Sequence, residues 1–65
     1  MIPEIDIWRA AGAMVKRYGN AADFQACLRA DELSAKGDRV GMRVWLRILE
    51  AIDALQNVQP GETKQ

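Results

Sequence analysis

Few residues in this chain could do chemistry. Its 65 residues include no histidine and a single cysteine, Cys27. The commonest general base and metal ligand is therefore missing, and one thiol cannot build a thiolate zinc site within one chain. Hydroxyl side chains are limited to Tyr18, Ser34 and Thr63, none with a base partner apparent in the sequence. Glu50 and Asp53 are three apart and could share a divalent ion from one helix face, but a pair of solvated surface acids is the reading expected of them. The stretch Gly37-Asp38-Arg39-Val40-Gly41 lacks the Lys-Ser/Thr ending and the preceding strand of a phosphate-binding loop. The expectation is a protein that is not an enzyme, with no catalytic, cofactor-binding or metal residues and no small-molecule substrate.

Three features remain. Cys27, spaced with Phe24 and Leu28, is expected as a buried, inert thiol. Asp31, four residues beyond Cys27, falls at the edge of the same apolar side, where a carboxylate needs a hydrogen-bond partner. Arg39, Arg43 and Arg47 recur at i, i+4, i+8 in the first half of a helix, with Glu50 and Asp53 in the second half. That order opposes the helix dipole, so the arginines are not there to stabilise the isolated helix. They are the candidate face for an anion or a partner.

The elements that carry these residues read as helices. Asp38–Gln56 is the longest periodic stretch, with Gly41, Trp45, Ile48, Ile52 and Leu55 on one stripe and Val44 and Leu49 widening it. Pro3–Tyr18 opens with Glu4 and Asp6, closes with Lys16 and Arg17, and stops at Gly19. It carries two stripes: Ile5, Trp8, Gly12 and Val15, and beside it Ile7, Ala11, Met14 and Tyr18. Asn20 is the expected cap of a helix over about 21–36, whose buried side reads as Phe24, Cys27, Leu28 and Leu33 with alanines at 26, 30 and 35. Asp38 caps the last helix directly after Gly37.

Connections of two residues make sequential helices neighbours. The expected fold is all-α: an up-down-up three-helix bundle over residues 1–56, helix 3 longest and central, with a disordered tail over 57–65. With the first and third helices starting level, Trp8 falls near Gly41 and Gly12 near Trp45, which suggests each indole filling the space over the other's glycine. The longer third helix is expected to overhang the core at Leu49, Ile52, Leu55 and Val58.

The segment YGNAADFQACLRADELSAKGDRVGMRVWLRILEAIDAL resembles short, mostly alphaproteobacterial helical proteins of unknown function. The shared pattern is Tyr18-Gly19, Arg29-Ala30-Asp31, Gly37-Asp38, Gly41, Trp45, Ile48 and Ala51-Ile52, preceded by the IDIWRAA start at Ile5. The resemblance spans roughly residues 5–55 and implies a small bacterial helical protein without a known activity.

Nine basic and nine acidic residues give a formal charge of zero. That balance lacks the basic excess of a general nucleic-acid binder and gives little protection against self-association. One cysteine and an acidic N-terminal stretch suit the cytoplasm, and no apolar run suits a membrane span. The function expected is a protein-interaction module, either a homodimer or a domain docking on a larger bacterial protein. Its contact residues would be Leu49, Ile52, Leu55, Tyr18 and Met14. The alternative is a nucleic-acid-binding regulator using the Arg39/Arg43/Arg47 face.

Overall fold

The computed structural model describes residues 3–57. Among them every regular element is a helix, without strands: α1 (Glu4–Tyr18), a 3-10 turn (Gly19–Ala21), α2 (Ala22–Ala35) and α3 (Arg39–Asn57). Because the 3-10 turn continues directly from α1 into α2, the backbone forms two helical runs, 4–35 and 39–57, the first bent at Gly19. Ile2, Val58 and the expected tail from 58 onward lie outside the described residues, whereas Asn57 belongs to α3.

Local chemistry explains each break. Pro3 precedes α1 in extended conformation, and its carbonyl accepts from the Asp6 and Ile7 N–H groups at 3.0 and 3.3 Å. At the far end Gly19 takes φ 58°, a value most side chains disfavour, while its N–H still reaches the Val15 carbonyl. Asn20 is not a cap. Ala21 holds the position before α2 and no side chain bonds there, since the 3-10 turn already occupies Asn20.

The second break closes more tightly. Gly37 at φ 81° lets its own N–H bond the Ser34 carbonyl at 3.0 Å and the Asp38 N–H bond the Leu33 carbonyl at 2.9 Å. Those two bonds satisfy carbonyls the helix end would otherwise leave open. Asp38 then caps α3 as its type predicts, Oδ1 accepting from the Gly41 N–H at 2.8 Å.

The core is small. Its buried residues are Ile7, Ala11, Ala22, Ala26, Ile48, Ala51 and Ile52, with Ala10, Met14, Val15, Val44, Trp45 and Leu49 partly buried against them. Four of those seven buried residues are alanine, and among the described residues Ile52 is the one large side chain fully buried. Alanines let helices approach closely but remove little apolar area from water.

α3 packs against both other helices, while α1 and α2 touch each other least. Its expected stripe is the observed one, centred on Ile48 and Ile52. On α1 the two stripes exchange roles: Ile7 and Ala11 are buried, whereas Ile5 and Trp8 are exposed. On α2 the buried side is Ala22, Ala26 and Ala30, and Phe24, Cys27 and Leu28 point outward. Small residues won that contest because they bring the α2 backbone close to α3.

The register between α1 and α3 also differs from expectation. Glu4 meets the Arg47 guanidinium, and Gln56 Nε2 donates to the Gly19 carbonyl at 2.7 Å. So α1 runs in the same sense as α3 but lies along its second half rather than starting level with it. No atom outside its own helical backbone and chain neighbours lies within 4 Å of a Cβ built at Gly12, so no Trp45 ring fills that position. At Gly41 the nearest atoms to such a Cβ are those of Asp38, which makes this glycine part of a cap.

The shifted register moves the overhang as well. Ala51 and Ile52 are covered, so only the last turn of α3, at Leu55, stays open at that end. The barer end is the first turn, where Val40 is 73% exposed.

Candidate protein-interaction surface

The five residues expected at an interface do not share one face. Ile52 is fully buried in the chain's own core and is unavailable to a partner. It sits in the core cluster with Ile7 and Ala11 of α1 and Ala22 and Ala26 of α2. Met14 and Tyr18 line a cleft of about 330 Å³ between α1 and α2, together with Leu28, Gln25, Arg29 and Glu32, and with Trp45 from α3. Leu49 instead lines a groove between α2 and α3 with Phe24 and Cys27.

Leu55 and Tyr18 do come to the same end of the fold. The Gln56–Gly19 hydrogen bond ties the last turn of α3 to the end of α1. Leu55 is 46% exposed there and Tyr18 38%. The Arg17 guanidinium carbon lies 5.6 Å from the Tyr18 ring centroid, a cation–π distance.

The arginine stripe is divided. Arg47 is held by Glu4 across the helix interface and by Glu50 one turn along α3, the latter at 3.3 Å. Arg39 and Arg43 are exposed and form no ion pair among the described residues. Only two of the three guanidinium groups therefore face an outside ligand unencumbered. Surface pairs of this kind are worth about 0.2–1 kcal/mol each, so Arg47 orients α1 more than it stabilises the whole.

Cys27 is an exposed free thiol, contrary to the buried position expected of it. It follows the outward rotation of the whole Phe24–Leu28 stripe. Asp31 rotates outward with it and is solvated, so it needs no buried partner. Glu50 pairs with Arg47, while Asp53 accepts from the Asn57 side-chain amide. Among the described residues no group of three His, Cys, Asp or Glu side chains is arranged to hold a metal ion.

The exposed large apolar side chains include Phe24, Leu28 and Leu46, which sequence reasoning did not assign to a surface. A signal was present. Phe24 and Leu28, at i and i+4, lie half a helical turn away from the Ala22–Ala26–Ala30 stripe. A helix with two opposed apolar stripes must leave one of them outside.

Compared with family models, with curated proteins and with solved structures, the chain matches none. No helix among the described residues is long and apolar enough to cross a membrane.

Proposed function

We propose that this chain is a small non-enzymatic protein-interaction module that associates through the end of the fold where α1 and α3 finish. A second copy of itself is the first partner proposed, and a larger bacterial protein the second. The observation that carries the reading is Leu55, left 46% exposed three residues after the fully buried Ile52. Tyr18 adds an exposed aromatic ring at the same end. A body with an alanine-rich core of this size gains stability readily from covering such surface.

The finer architecture belongs to the same reading: an up-down-up three-helix bundle with α3 central. The two α1–α3 links, Glu4 to Arg47 and Gly19 to Gln56, and the tight Gly37-Asp38 reversal between α2 and α3 support it. The resemblance to short alphaproteobacterial proteins agrees with a bacterial origin, and the single cysteine with a reducing cytoplasm. Nucleic-acid binding by the arginine stripe is the weaker reading, because Arg47 is engaged by Glu4 and Glu50 and the net charge is zero.

Mass action supplies the test. An associating chain melts at a higher temperature as its concentration rises over about a hundredfold range. A melting temperature and solution mass that stay constant over that range would overturn self-association.

A further inference from the structure

On the far side of α2 from the α1–α2 cleft, a second concavity opens between α2 and α3. It has a volume of about 520 Å³ and is lined by Phe24, Cys27 and Leu49 with Asp23, Glu50 and Asp53 around them. The apolar floor and the acidic rim are separate observations with different consequences. Phe24, 60% exposed, gives the floor an aromatic ring that the described residues leave largely open. The rim carries three carboxylates, and among the described residues no basic side chain lines the groove.

The rim charges are mostly uncompensated. Arg47 Nη1 approaches Glu50 at 3.3 Å, but Asp23 and Asp53 form no ion pair among the described residues. Asp23 Oδ1 accepts from the Phe24 N–H at 2.7 Å, and Asp53 accepts from the Asn57 side chain. These are neutral donors and leave both negative charges in place.

We propose that this groove docks an amphipathic helix of another protein, one that offers a pair of apolar anchors flanked by Lys or Arg. The lining residues span one helical turn on each wall, roughly 6 Å at about 1.5 Å per residue. Two anchors at i and i+3 or i+4 fill that length, in the manner of helix-in-groove recognition. Charge complementarity selects the flanks. A second copy meeting this face about a two-fold axis would set Asp23, Glu50 and Asp53 against their own images, which disfavours it. Phosphate-bearing ligands meet the same repulsion. The inference rests on the interaction-module reading but uses a different surface from Leu55 and Tyr18.

Cys27 makes the groove its own reporter, because it is the chain's single thiol. The probe is a synthetic helical leucine–lysine peptide of about 14 residues, with a leucine–glutamate peptide of the same apolar pattern as control. Binding is followed by anisotropy, and occupancy by the rate at which Cys27 reacts with a chromogenic disulfide reagent. The leucine–lysine peptide should bind and slow the Cys27 reaction about tenfold, and the control should do neither. The Asp23→Lys/Asp53→Lys double variant should weaken binding about tenfold or more. Phe24→Ser, at an exposed position, should weaken it without charge change.

Absence of binding, binding without Cys27 protection, or equal binding by the acidic control or to the charge-reversed variant would each overturn the proposal. Any of those results in a chain that still self-associates through Leu55 and Tyr18 would leave the broader reading standing while the groove falls. Protection of Cys27 that appears with protein concentration alone would mean that a second copy occupies the groove instead.

Discussion

Gln56 donates from Nε2 to the Gly19 carbonyl at 2.7 Å, joining the last turn of α3 to the bend that ends α1. That carbonyl sits in a 3-10 turn forced by the positive φ of Gly19, so Gln56 steadies the point where the first helical run changes direction. Gln56→Ala should cost about 0.5–1.5 kcal/mol, the net worth of one hydrogen bond. Urea unfolding would measure it. Hydrogen exchange should quicken at the Gly19–Ala21 turn and leave Asp38–Met42 unchanged.

Asp38 and Gly41 are coupled in the same physical sense. The Gly41 N–H bonds Asp38 Oδ1 at 2.8 Å, and a Cβ at position 41 would lie 2.6 Å from Asp38 Oδ2. Gly→Ala in a helix ordinarily gains about 1 kcal/mol, and loss of an Asp cap costs about 1 kcal/mol. In the wild type Gly41→Ala should therefore gain nothing, because the methyl displaces the cap. In an Asp38→Ala background the same substitution should gain the full amount. A double-mutant cycle measured by chemical denaturation should return a coupling of about 1 kcal/mol.

The two faces of α2 give opposite expectations from those hydrophobicity alone suggests. Ala26 is fully buried against α3, so Ala26→Leu should destabilise by about 1–3 kcal/mol through overpacking. Phe24 is largely exposed, so Phe24→Ser should change stability by no more than about 0.5 kcal/mol. Thermal melts of the two variants would separate these outcomes. A large loss in Phe24→Ser would place the aromatic stripe in the core after all.

These cases show which parts of the fold are legible in sequence. The breaks at Gly19 and Gly37, the Asp38 cap and the buried stripe at Ile48 and Ile52 follow from local backbone chemistry and from one unambiguous period. The choice of face on α1 and α2 does not, because each carries two apolar stripes and periodicity cannot rank them. On α2 the alanines win by allowing close approach, a property of the helix pair and not of either helix. The α1–α3 register was hidden for a related reason. Glu4–Arg47 and Gln56–Gly19 are pairings between residues 43 and 37 positions apart, and nothing local marks them.

The candidate surface was legible only in part. Leu55 follows from the expected overhang of the longest helix, and Tyr18 from the second apolar stripe of the first helix. Ile52 joins that overhang only in a bundle whose helices start level, and the observed register buries it instead. Phe24 and Cys27 were missed because they read as core, and Asp31 followed them outward for the same reason.

The most direct test of the account is solution mass by light scattering across a concentration series, for the wild type and for Leu55→Asp. Leu55 lies at an exposed end position, so the variant should remain folded by circular dichroism. The account predicts a wild type that becomes dimeric as concentration rises and a Leu55→Asp chain that stays monomeric. A wild type that remains monomeric at the highest concentration, or a Leu55→Asp variant that dimerises equally well, would contradict it.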